Sequence, residues 1–159
     1  MEENKFSPKP GQVDFSYARW CPVINCVVRY HEKILLVKRN EGMRWYPGLW
    51  NGISGFLDDQ KSLREKVEEE LREELGVDST HIISMTRGEI LNQEDTALHK
   101  TWIVHPVCVE IATDQIRLDW EATEFAWVTR DEISSYRLLP GFREVLEHAL
   151  GENRAVYPL

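Results

Sequence analysis

Glu70, Glu73 and Glu74 are the residues whose type and spacing point most directly to chemistry. On a helix advancing about 100° per residue, all three project along one margin. Three neighbouring carboxylates repel one another unless a cation sits among them. A hard divalent ion that takes oxygen ligands would fill that role. A Glu-rich helix face is also an ordinary solvated face, since Glu is a good helix former. The context sets this one apart. Ile53-Ser54-Gly55 ends an apolar run, a short acidic loop with Asp58 and Asp59 follows, and the helix opens directly after it.

The helix itself is legible from its ends. Ser62 followed by Glu65 forms a capping box, so the helix starts at Leu63. Gly76 supplies a left-handed stop. Between them Leu63, Val67, Leu71 and Leu75 recur at every fourth position and make one apolar stripe.

From Gly55 to Val77 the chain resembles the signature of the Nudix hydrolase family, the MutT-like hydrolases. That signature runs Gly, five residues, Glu, seven residues, Arg-Glu, an apolar residue, any residue, Glu-Glu, any residue, Gly, apolar, and the spacing is kept without a gap. Two positions depart from it. Lys61 stands where the family has its first Glu, and Glu69 where it has Arg. Ser54 also replaces the first of two glycines common before the loop. The resemblance covers roughly residues 22–150. It implies an α/β fold, a mixed sheet sandwiched between helices, with an arm over residues 1–18 and the domain over 19–159.

The resemblance further implies hydrolysis of a nucleoside diphosphate linked to another group, or of a nucleoside triphosphate. The cofactor would be Mg²⁺, or Mn²⁺ in its place. A diphosphate repels hydroxide, so a divalent ion is needed to bridge its oxygens and acidify the attacking water. Glu70, Glu73 and Glu74 occupy the family's ligand positions, with a carbonyl from the Gly55 turn as an added ligand. Glu70 and Glu73 are also carried over as catalytic. For the general base, the segment Asp119 to Trp127 looks like the family segment leading into a late strand. Glu124 is the first candidate there and Glu121 the second; either is equally readable as a surface carboxylate. Arg39, at the end of a strand, is placed to meet a phosphate as a fork donor, or is a plain surface Arg. Trp45 and Tyr46 are suited to stacking on a base or, slightly ahead of that, to packing over the core.

The family's Arg is thought to hold the adjacent catalytic Glu in place, which Glu69 cannot do. Lys61 runs the other way in charge, so a contact from Lys61 to Glu69 or Glu70 is expected to restore some orientation. Loss of such a partner typically costs about 10–100-fold in metal affinity or activity. A degenerate Nudix domain that binds a nucleotide or a protein without turnover is therefore the alternative. Isopentenyl diphosphate isomerase shares the fold and a Trp-rich loop, but neither Cys21 nor Cys26 lies on the loop before Gly55 where a catalytic cysteine is wanted.

The rest of the chain reads as strands and a second helix. Residues 22–30 and 34–39 form a hairpin about the polar turn His31-Glu32-Lys33. A loop over 40–48 leads into a short strand at 50–56. Strands are expected at 81–90, 100–111 and 123–128, with a polar loop over 91–97. Pro106 suggests an edge or a bulge. Phe142, Val145, Leu146, Ala149 and Leu150 describe a helix that Gly151 stops.

At 159 residues the chain is the size of one domain, with 42% apolar and 29% charged residues. A net charge of -8 argues against a nucleic-acid polymer as partner, but not against a nucleotide, since a metal reverses the local sign. No apolar run approaches a membrane span and there is no signal-peptide core. Cys21, Cys26 and Cys108 form no CxxC pair and read as reduced cysteines of a cytoplasmic protein. The five histidines show no zinc spacing. A small diphosphate-containing molecule is the expected partner, and a homodimer fits the family's habit.

Overall fold

The computed structural model describes residues 7–159, so residues 1–6 of the expected arm lie outside the described residues. The sheet is built around two long apolar strands, β1 (Trp20–Tyr30) and β7 (Lys100–Ile111). They pair in parallel from Trp20↔Thr101 to Arg29↔Glu110. Both are covered on two faces, which explains their near-continuous apolar sequence. β2 (Lys33–Arg39) turns back antiparallel at the end of β1 and carries β3 (Trp50–Asn51) and β8 (Ala122–Val128). β4 (Ile53–Phe56) takes the earlier part of β1, from Val23↔Phe56 to Cys26↔Ile53.

On the far edge of β7, β6 (Leu91–Asp95) pairs with Lys100–Val104 and β5 (Ile82–Gly88) with Val107–Ile111. β9 (Val156–Pro158) adds to β5. Helix α1 (Leu63–Leu75) packs on one face through Val67, Leu71 and Leu75, against Ile24, Cys26 and Val28. Helix α2 (Phe142–Ala149) packs on the other, with Phe142, Val145 and Leu146 against Val27 and Leu36. The result is the expected α/β/α arrangement with a mixed sheet. Among the described residues no helix is long and apolar enough to cross a membrane.

Three expectations need correction. Residues 91–95 are a strand, not a loop: Leu91 is buried in the α2-side core while Asn92 and Glu94 face water, so the polar half of the alternation masks the apolar half. Pro106 lies neither at an edge nor in a bulge of its pairing with β1, but in a central strand opposite Asn25. It falls where β6 has ended and β5 has not begun, so its missing N–H interrupts neither antiparallel ladder. The strand expected over 50–56 is divided at Gly52. A Cβ there would come within 2.4 Å of the Cys26 carbonyl oxygen, so only glycine lets the chain cross so close to β1.

The described arm, residues 7–18, is fastened to the domain. The buried Lys100 ammonium donates to the carbonyls of Phe15 (2.9 Å), Ser16 (3.1 Å) and Ala18 (2.8 Å). Phe15 stacks on Phe56 at 5.8 Å, and Val13 N donates to the Asp58 carbonyl at 2.6 Å.

Since Leu71 is fully buried between α1 and the sheet, Leu71→Ala is expected to cost about 2–5 kcal/mol of stability. Urea unfolding of the two proteins measures it.

Candidate active site

Helix α1 is fixed at both ends as its sequence dictates. Ser62 Oγ accepts from Glu65 N at 3.2 Å while Ser62 N donates to Glu65 Oε2 at 2.7 Å, closing the capping box. Gly76 turns left-handed at φ 66° and donates to the Arg72 carbonyl. With the apolar stripe down on the sheet, Glu70 and Glu74 are carried inward along its margin, whereas Glu73 stays exposed. The Glu70 carboxylate lies directly over Gly55 in β4: a Cβ at that position would sit 2.5 Å from Glu70 Oε1. A side chain at position 55 would therefore push the Glu70 carboxylate out of this place.

The third member of the cluster comes from the loop ahead of β8. That loop is stitched to the end of α1 by Arg117 N donating to the Leu75 carbonyl (2.9 Å) and Asp119 N to the Glu74 carbonyl (3.3 Å). Its other end is tied to the end of β2, where Asn40 N donates to the Glu121 carbonyl and Asn40 Nδ2 to the Trp120 carbonyl, both at 2.7 Å. Glu121 is thereby brought against Glu74. A small cleft is lined by Arg39, Gly52, Ser54, Glu74 and Glu121.

Burial raises the Glu70 carboxyl to about 7; Lys66 opposes that rise, Glu121 and Glu73 add to it, and a hydrogen bond with Glu74 lowers it. Glu74 is pushed well above the ordinary carboxylate value, first by burial and then by Glu121, Glu70 and Asp119. Its hydrogen bond to Glu121 adds to the same direction and favours the protonated form of Glu74. Glu73 acts on Glu70 from the solvent side.

The remaining candidates are placed as follows. Glu124 sits opposite Lys38 in the β2–β8 pairing and forms an exposed ion pair with it at 3.0 Å, outside the carboxylate group. Arg39 is at the cleft, where burial lowers its pKa while Glu121 and Glu74 act to raise it. Its Nε (3.0 Å) and Nη2 (2.7 Å) donate to the Trp45 carbonyl, and Nη1 takes no part in that clasp. Trp45 packs edge-on against Trp102 at 5.4 Å, with Arg44 and Lys100 over its ring. Tyr46 donates to Asp95 Oδ2 at 2.6 Å. Both aromatics therefore frame the loop before β3 rather than lining the cleft.

The two departures meet each other. Lys61 Nζ is 3.1 Å from Glu69 Oε2 and 2.9 Å from Asp59 Oδ2. The loop and the helix are thus tied by a pair of opposite polarity to the one the family signature implies. A second lysine went unnoticed in the sequence. Lys66 is buried, and its ammonium lies 3.3 Å from Asp58, 3.5 Å from Glu70 and 3.7 Å from Asp59. Burial works against its charge, but Glu70, Asp58, Glu69 and Asp59 together hold its pKa above the ordinary value. Its signal was present as a Lys four residues before Glu70 on the same helix, facing an acidic loop. Asp119, beside Glu74, was likewise missed as a contributor.

The donor set fits a hard divalent ion in chemistry: carboxylate oxygens held near one another against their own repulsion, with Glu70 over the side-chain-free Gly55 of β4. Among the described residues no three His, Cys, Asp or Glu side chains already converge as a cation cage. A cation would compete with protons for these carboxyls.

These features define a Nudix-type fold. The chain matches the NUDIX domain over residues 18–149 and belongs to that family. No curated protein matches it. Among solved structures, it is similar to the MutT protein of Methanosarcina mazei Go1 with 24% identity and a TM-score of 0.70, over 87% of this chain and 99% of that one. The NUDIX domain of Shewanella oneidensis NrtR, solved with ADP ribose, aligns at 18% identity and a TM-score of 0.65, over 85% and 89% of the two chains. A C. elegans Ap4A hydrolase aligns at 14% identity and 0.64, over 80% and 93%.

Two outcomes are expected. The fold holds Glu70 at about 7 against an ordinary 4.5, and Glu74 is raised as well. The metal-free fold therefore binds protons more tightly than the unfolded chain, and this contribution to stability is lost as pH rises towards and through about 7. The metal-free Tm should fall across that window, less so in Glu74→Gln, and Mg²⁺ should raise it more at the alkaline end. Separately, Lys61→Glu sets like charges together and should weaken Mn²⁺ binding by about 10-fold. Adding Glu69→Arg should recover it, and calorimetry on the single and double variants reads both.

Proposed function

We propose that the chain is a divalent-ion-dependent pyrophosphohydrolase that cleaves the diphosphate linkage of a nucleoside diphosphate derivative or a nucleoside triphosphate. The observation that carries this reading is the partly buried group Glu70–Glu74–Glu121, with Glu70 over Gly55 and Arg39 at the adjoining cleft. Glu70, Glu73, Glu74 and the Gly55 turn would hold Mg²⁺ or Mn²⁺, which supplies neutralisation of the diphosphate and acidification of water.

The chain's own residues do the rest. Arg39 is anchored by the Trp45 carbonyl with Nη1 outside that clasp, which suits it to steady a phosphate oxygen at the cleft. Glu121 accepts the hydrogen bond of Glu74 and is the carboxylate best placed to take a proton from water. Glu124, committed to Lys38 outside the cluster, is second to it. Trp120, 62% exposed next to Glu121, offers a ring face on which a base can stack. The solved relatives that carry ADP ribose or the name Ap4A hydrolase support a nucleoside diphosphate linked to a further group as substrate. The net charge of -8 weighs against a nucleic-acid polymer, and the free cysteines suit a cytoplasmic setting.

The second reading, a binding module with weak or no turnover, is favoured by Lys66 and Lys61, whose ammonium groups already neutralise part of the acidic cluster. One experiment separates the two. Phosphate release is followed, with an auxiliary phosphatase, from nucleoside triphosphates, ADP ribose and dinucleoside polyphosphates in Mg²⁺ or Mn²⁺. Turnover should be lost in Glu74→Gln and should fall about 10²–10⁴-fold in Glu121→Gln. Saturable binding of ADP ribose with no release from any compound would establish the binding module instead.

A further inference from the structure

Lys66 lies on the buried side of α1, next to Val67, with its side chain 6% exposed. Taking an ammonium out of water is unfavourable unless several groups compensate it. Here three do, and two of them are themselves fixed. Asp58 accepts from Gln12 Nε2 at 2.6 Å, and Asp59 is shared with Lys61 at 2.9 Å. The ammonium is therefore located by the loop, independently of Glu70. What it then reaches is Glu70 Oε1 at 3.5 Å, the oxygen that lies over Gly55. Holding one oxygen of a carboxylate fixes its plane and leaves the other outside the ion pair.

We infer that Lys66 is a positioning residue that holds the Glu70 carboxylate in the orientation in which it binds a divalent cation. The inference rests on the reading above that Glu70 is a ligand. In the family signature the residue before Glu70 is the Arg thought to hold that carboxylate; in this chain Glu69 there is turned to Lys61. The hold is supplied from one helical turn earlier, by a cation rooted in the acidic loop.

The sign of the effect distinguishes this role from that of a nearby charge. A positive group that merely sat beside the site would repel a divalent ion, so its removal would tighten binding. A group that orients a ligand does the reverse. The test is Mn²⁺ titration of the metal-free full-length protein without substrate, with free Mn²⁺ read by electron paramagnetic resonance. Lys66→Met should raise the Kd about 10–100-fold, and Lys66→Arg should recover most of the loss. Asp58→Asn removes one of the two loop carboxylates that locate the ammonium and should raise the Kd in the same direction as Lys66→Met but by less, since Asp59 remains. Should Lys66→Met fail to fold, Asp58→Asn/Lys66→Met removes both buried charges together and should show the same weakened Kd. An unchanged or lower Kd in either Met variant overturns the inference alone. A wild type that binds no Mn²⁺ overturns Glu70 as a ligand, and the inference with it.

Discussion

Carboxylates brought out of water beside one another must share either protons or a cation. Glu70, Glu74 and Glu121 are in that position, and much of the surrounding structure follows from it. Glu70 lies over Gly55, where a side chain would displace its carboxylate. The loop before β8 is bonded at both ends, which places Glu121 beside Glu74. The apolar stripe of α1 supplies the burial that keeps the helix, and the charges on it, against the sheet. In the metal-free fold burial and its carboxylate neighbours push Glu74 towards its protonated form.

The lysines solve a second part of the same problem. Lys61 and Lys66 meet at Asp59, so the acidic loop and the acidic helix are joined by an alternating row: Glu69, Lys61, Asp59, Lys66, Glu70. The row is tighter in its exposed half, at 2.9 and 3.1 Å around Lys61, than in its buried half, at 3.5 and 3.7 Å around Lys66, where solvent screens it less. Reversing the polarity of one pair leaves the tether between loop and helix in place. What changes is which residue is available to Glu70.

Local features were legible in the sequence. Ser62, Glu65 and Gly76 specify their own bonds within one helical turn, and the four-residue repeat from Leu63 to Leu75 needs no knowledge of the sheet. The helical period was legible for Glu70 and Glu74, which flank the apolar stripe, but not for Glu73, which falls further round the helix and stays exposed. Features set by distant partners were not legible. Leu91–Asp95 becomes a strand because Lys100–Val104 lies beside it, although its own residues are half polar. The different places of Glu121, beside Glu74, and Glu124, opposite Lys38, depend on the register shift between Lys38 and Arg39, which puts Ala122 opposite Arg39. A register fixed by pairing across eighty residues leaves no mark within either strand.

Lys100 carries a consequence for where the domain begins. Similarity to the family starts at residue 18. Yet the carbonyls of Phe15 and Ser16 lie ahead of that point and coordinate an ammonium that is 3% exposed. A boundary drawn by resemblance therefore cuts through the coordination shell of an interior charge. Physically, the folding unit reaches back to the residues that solvate Lys100 in place of water. Descent and self-sufficiency mark different limits on the same chain.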